Sequence, residues 1–215
     1  MSLRLPGERE SVLPTVLAIA TVILLASLGC SGVGTARTIR AASFRNASIT
    51  IPANTRVASA AEHLYDETQA AHEPIGAGTF VTRALVDAGL RFGTDGSVGA
   101  VFAYLSRSQT FVAPSDIRPG DVVFFELDGS PQDGCRGQPH AGVVESVDPA
   151  GRVTFLEARD GRVRRSYLHA RRVVARRDEE GRILNSFLRP KRITDPSDAR
   201  YFAGDMLCAV ARVGL

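Results

Sequence analysis

The hydrophobic period of this chain changes at Pro119-Gly120, and that change restricts the fold more than any other feature. Before it, apolar residues recur at helical spacing: Val57, Ala60, Ala61, Leu64 and Tyr65 share one face of a helix over Val57–Ala71. Phe80, Ala84, Leu85 and Ala88 do the same over Thr79–Ala88, and Gly89 follows as a stop signal. Ser97–Leu105 predicts a further short helix. After Pro119-Gly120 the runs are short and β-rich: Asp121–Leu127, His140–Val147, Arg152–Ala158 and Arg162–Leu168. Turn clusters separate them, at Asp128-Gly129, Asp148-Pro149-Ala150-Gly151 and Asp160-Gly161. Asp-Gly between two such runs is a strong hairpin signal, because both residues tolerate the positive φ of a tight turn. Helices followed by an antiparallel meander predict an α+β fold, with the helices packed on a small sheet. A chain of 215 residues, 44 % hydrophobic, can bury one good core. Residues 176–190 read as a charged loop, with Ile183, Leu184, Phe187 and Leu188 packing back. Ala199–Val213 reads as a closing helix, within a C-terminal helical extension over 191–215.

The N-terminus reads as a targeting segment. Val12 to Leu28 is apolar apart from Thr15, Thr21 and Ser27, and Arg4 and Arg9 precede it. It ends in Ala26-Ser27-Leu28-Gly29-Cys30. Small residues before a cysteine at the close of an apolar run resemble a bacterial lipoprotein signal. That resemblance implies cleavage after residue 29 and a lipid on Cys30. An ordinary secretion signal and an uncleaved anchor are the alternatives, since about 17 apolar residues is near the lower limit for spanning a bilayer. All three export the remainder. Residues 30–54, small and polar, then form a tether to a domain over 55–190.

Export places Cys135 and Cys208 in an oxidising compartment, where a disulfide between them is an open alternative to two separate thiols. Cys208 also fits a buried helical position, with Phe202, Met206 and Val210. The net charge is +3, and arginines gather between Arg159 and Arg192, with pairs at Arg164-Arg165, Arg171-Arg172 and Arg176-Arg177. No aromatic-interleaved basic stripe or DNA-binding motif accompanies them, so nucleic acid is not the expected partner. Anionic wall polymers or lipid headgroups suit this charge better, and a solvated arginine-rich face is the ordinary alternative.

The motifs fall in a definite order. Pro74-Ile75-Gly76-Ala77-Gly78-Thr79-Phe80-Val81 opens the second helix, and Ala84-Leu85-Val86-Asp87-Ala88-Gly89-Leu90 closes it. Arg118-Pro119-Gly120-Asp121-Val122-Val123-Phe124-Phe125 follows, then His140-Ala141-Gly142-Val143-Val144-Glu145, then Val153-Thr154-Phe155-Leu156-Glu157. Over roughly residues 55–170 this order resembles the NlpC/P60 and CHAP families of papain-like hydrolases, which cut peptide and amide bonds in bacterial cell walls. Their hallmark is a helix opening on Asp-Cys-Ser-Gly-Phe-Val; here the same stretch reads Gly76-Ala77-Gly78-Thr79-Phe80-Val81.

Papain-like catalysis needs a thiolate at a helix N-terminus, where the dipole and free N–H groups lower the thiol pKa. It needs an imidazole to take and return the proton, and a third polar group to orient that imidazole. The resemblance implies His140 as the imidazole and Glu157 as its orienting partner, with Glu145 a competitor. The nucleophile position is Ala77, which cannot form an acyl intermediate. Two replacements are conceivable. Thr79 lies about 200° further round the helix. Cys135, five residues before His140 and beside Arg136, is off any helix N-terminus and lacks a preformed oxyanion hole. His63, His72 and His169 show no metal-ligand spacing, Gly76–Gly78 lacks the lysine of a phosphate loop, and no cofactor motif is present. The expectation is a lipid-anchored protein of the bacterial cell envelope. Its papain-like domain has lost catalysis and binds peptidoglycan or another peptide, with His140 and Glu157 as a vestigial dyad. The alternatives are an active amidase or endopeptidase using Cys135, and an envelope interaction module with no peptide groove.

Overall fold

Three helices are laid down first, and their ends follow local chemistry. The computed structural model describes residues 52–71, 73–90, 96–108, 110–128, 134–135 and 139–214. The signal segment, Cys30 and the tether up to residue 51 lie outside them. Helix α1 (Ala53–Ala71) buries Val57, Ala61 and Leu64, one stripe at helical spacing. Helix α2 (Ala77–Asp87) buries Phe80, Val81, Ala84 and Leu85. It ends where Gly89 takes φ of 91°. There the Leu90 N–H reaches the Leu85 carbonyl and the Gly89 N–H reaches that of Val86, the pairing that closes a helix on a left-handed residue. Helix α3 (Val98–Arg107) starts on Ser97, whose hydroxyl accepts the Ala100 N–H at 3.1 Å.

The strands then build an antiparallel sheet. β1 (Val122–Glu126), β2 (Pro139–Val147), β3 (Arg152–Arg159) and β4 (Arg162–His169) form the meander read from the sequence. Asp160 and Gly161 join β3 to β4 at φ of 54° and 75°, the two positive values a tight hairpin requires. A fifth strand, β5 (Leu207–Ala211), pairs with β1, so the order is β4-β3-β2-β1-β5.

Both faces of this sheet are covered. Val122, Phe124, Ala141, Val143 and Leu156 join one core with α1, α2 and α3. Val123, Phe125, Val144, Phe155 and Leu168 join a second core with Leu188, Ala203 and Met206. Double burial explains why β1 reads as a continuous apolar run rather than an alternation. Each large apolar side chain so enclosed contributes about 1.5–3 kcal/mol. All described residues belong to one unit, Ser48–Leu215, which holds both cores. Among them, no helix is long and apolar enough to cross a membrane.

One expectation is corrected here. The closing helix and separate helical extension over 191–215 are replaced by a four-residue turn, α4 (Ala203–Met206), and β5. Met206 and Val210 do share the second core, as a helical spacing of four would also give. Without β5, β1 would keep an unpaired row of backbone groups between two buried faces, and pairing there outweighs helix formation.

Candidate functional site

His140 is the second residue of β2 and Glu157 the sixth of β3. Gly142 lies directly opposite Glu157, so His140 is the diagonal neighbour of Glu157 on the same face, a separation that long side chains bridge. The His140 Nε2 stands 2.5 Å from the Glu157 Oε2. On the other strand Phe155 opposes Ser166, which makes Ser166 the second diagonal neighbour. Its hydroxyl donates to the Glu157 Oε1 at 2.5 Å, and the Arg159 Nη2 lies 3.2 Å from that oxygen. Glu157 is fully buried and His140 nearly so. Burial alone would push the Glu157 pKa up. The hydrogen bond from His140, the positive charges of His140 and Arg159, and the Ser166 hydroxyl outweigh it, so the pKa is lowered. A carboxylate only accepts, so the His140 Nε2 carries a hydrogen and Nδ1 is left for other partners. Glu145, the competitor, is taken by Arg165 at 2.7 Å.

The pair faces away from the helices. His140 is paired across the strands with Phe125, and their rings lie 6.2 Å apart. Phe125 belongs to the second core, whereas the flanking Ala141 belongs to the first. Side chains alternate across a strand, so His140 and Glu157 point towards the C-terminal segment. Arg159 closes that side by donating to the Phe187 carbonyl. Helix α2, which carries Ala77 as its first residue, packs into the first core on the other face. The Ile75 N–H bonds the Gly161 carbonyl at 3.1 Å, which fixes the start of α2 beside the β3–β4 turn. Gly78 has its own reason to be glycine. A Cβ there would lie 2.1 Å from the Gly96 carbonyl oxygen, so no serine fits that position of the hallmark without rearrangement.

The two thiols are spent on each other: Cys135 and Cys208 form a disulfide with Cα atoms 5.5 Å apart. This corrects the alternative that made Cys135 a nucleophile, since a disulfide sulfur supplies no thiolate. It also corrects the helical placement of Cys208, which lies in β5. Thr79 is exposed and lines a cleft of about 530 Å³ with Glu67, Thr68, Glu73, Pro74 and Arg83, away from His140.

Sequence reasoning missed the role of Asp121. It is fully buried and accepts hydrogen bonds from the Asn54 amide at 3.0 Å, the Arg118 N–H at 2.8 Å and the Arg212 guanidinium at 3.1 Å. Gly120, at φ of 83°, lets the turn press against the Asn54 backbone, where no Cβ has room. Pro-Gly-Asp thus fastens α1, β1 and the end of β5 together. The signal was present in an acid following a Pro-Gly turn, but its partners lie 67 and 91 positions away. Among the described residues no three His, Cys, Asp or Glu side chains gather to hold a metal. No family model, curated protein or solved structure matches the chain.

Proposed function

We propose that this chain is an exported, lipid-anchored protein of the bacterial cell envelope, with a papain-like domain that binds a peptide and does not cut it. One observation carries the reading: Ala77 heads α2 while Cys135 is bonded to Cys208, so neither candidate position offers a thiol. The disulfide also fits an oxidising compartment. The resemblance of the motif order to wall hydrolases supports peptidoglycan peptides as the ligand class. The cleft beside the start of α2 suits a charged peptide, because exposed Glu73 lines it beside the Arg83–Glu67 ion pair, whose atoms stand 3.4 Å apart.

Insoluble peptidoglycan supplies the test. The oxidised protein should pellet with it without solubilising it, and Glu73→Ala with Arg83→Ala should weaken pelleting. Reduction should release no hydrolysis. Clearing of wall material that appears on reduction and disappears in Cys135→Ala would instead establish a cysteine hydrolase.

A second reading has its own support. His140 and Glu157 are buried on the face turned from α2, where they serve as a lock between β2, β3 and β4. That favours an envelope interaction module with no peptide groove, and such a module would leave peptidoglycan in the pellet alone.

A further inference from the structure

The charge of this chain is concentrated. Residues 159–193 hold twelve basic and four acidic side chains, although the whole chain carries only +3. Part of that charge is neutralised: Arg159, Arg164, Arg165, Arg182 and Arg189 each meet a carboxylate. Arg171, Arg172, Arg176, Arg177, Lys191 and Arg192 enter no ion pair among the described residues.

Apolar side chains stand exposed along the same segment as these cations without carboxylate partners. Val174 is 68 % exposed, Phe187 40 % and Ile193 105 %. They sit on built supports. Buried Asn185 donates to the Arg172 and Ala175 carbonyls and accepts from the His169 and Gly204 N–H groups, which fixes the turn bearing Val174. The Arg176 guanidinium lies 4.9 Å above the Phe187 ring, joining that ring to the same turn. Asp195 accepts from the Arg192 N–H, the Tyr201 hydroxyl and Arg189, which fixes the turn bearing Ile193.

We infer that this segment, from Arg171 to Ile193, is a membrane-contact surface that lays the domain on an anionic lipid bilayer. Unpaired cations meet lipid phosphates, and the apolar tips enter the boundary between headgroups and acyl chains. Branched aliphatic tips have no face on which a base could stack, and Arg176 already covers the Phe187 ring, so lipid fits better than nucleic acid. The inference rests on the envelope reading only for the supply of a bilayer.

The test uses the unlipidated unit Ser48–Leu215, which holds both cores, and vesicles of phosphatidylcholine with or without about one third phosphatidylglycerol. The protein should co-sediment with the anionic vesicles alone and be released by high salt. Removing Arg171 and Arg172 as a double alanine variant should weaken binding roughly 25-fold, at about fivefold per cation. Val174→Asp and Ile193→Asp should each weaken it several-fold with unchanged circular dichroism. Equal binding to both vesicle types, or indifference to the arginine variant, would overturn the proposal. So would full competition by soluble polyphosphate with both aspartate variants unaffected, which would mark a polyanion site. Fatty-acid labelling of Cys30 in the full chain reports separately on the anchor, so failure of either idea is distinguishable from failure of the other.

Discussion

Cys135 is bonded to Cys208 across a sequence separation of 73, tying the segment before β2 to the second residue of β5. The bond fastens a strand whose sequence, taken alone, reads equally well as a helix. In the chain-entropy account a loop of that length is worth about 4 kcal/mol, and native disulfides commonly deliver about 2–5. Cys208→Ala, or reduction of the wild type, should therefore lower the urea-unfolding free energy by about 2–4 kcal/mol. Equal midpoints for oxidised and reduced protein would show that the bond constrains nothing.

Asp121 and Arg212 make a second clasp on β5, joining its end to the start of β1. Removing one partner of a buried ion pair leaves the other charge uncompensated, at a cost of about 3–5 kcal/mol. Asp121→Ala should fall in that range by chemical denaturation. Arg212→Ala should cost less, because the guanidinium is partly exposed and Asp121 keeps its bonds to Asn54 and Arg118. A double-mutant cycle should return a coupling of at least about 1 kcal/mol.

Glu157 should make the fold acid-sensitive. Its folded pKa lies below the ordinary glutamate value, because its partners outweigh burial. The stability it contributes is therefore complete above the unfolded value, about 4.3, and lost as pH falls through the lower folded value. Glu157→Gln should be less stable than wild type near neutrality, by about 1–3 kcal/mol. The gap should narrow as pH drops below about 4. A gap that stays constant across this range would show that the charge contributes nothing.

How much of this was legible follows from where each signal resides. The three helices and the four-strand meander carry local signals: apolar spacing, the Gly89 stop and the Asp160-Gly161 turn. β5 does not. Leu207-Cys208-Ala209-Val210-Ala211 is a short apolar run that suits helix or strand equally, and only the open edge of β1 decides. The meeting of His140 with Glu157 is what the motif order predicts, and the two are hydrogen-bonded. Their facing was not readable. Ala141 and Gly142, Val143 and Val144 are apolar or small in both phases of the alternation, so the sequence does not mark which phase meets the helices. Asp121 escaped notice because its side-chain partners lie 67 and 91 positions away, which no local window contains, and Ser166 because its meeting with Glu157 depends on the register of the β3–β4 hairpin.

Ala77→Cys tests whether the start of α2 and the His140 imidazole share one site. The new thiol would be the first residue of α2, where the helix N-terminus lowers its pKa and raises its reactivity near neutral pH. His140, however, points from the opposite face of the sheet and already gives Nε2 to Glu157. Alkylation of the introduced thiol should therefore run faster than that of an ordinary exposed cysteine, yet change less than about twofold when His140→Ala is added, since helix-end effects act within the first turn. Slowing of about tenfold in the double variant would mean that the imidazole reaches the thiol, as a base within hydrogen-bond range must. His140 and Glu157 would then stand where a base and its orienting partner act on a thiol at position 77, and hydrolysis of wall peptides by Ala77→Cys would be the next thing to measure.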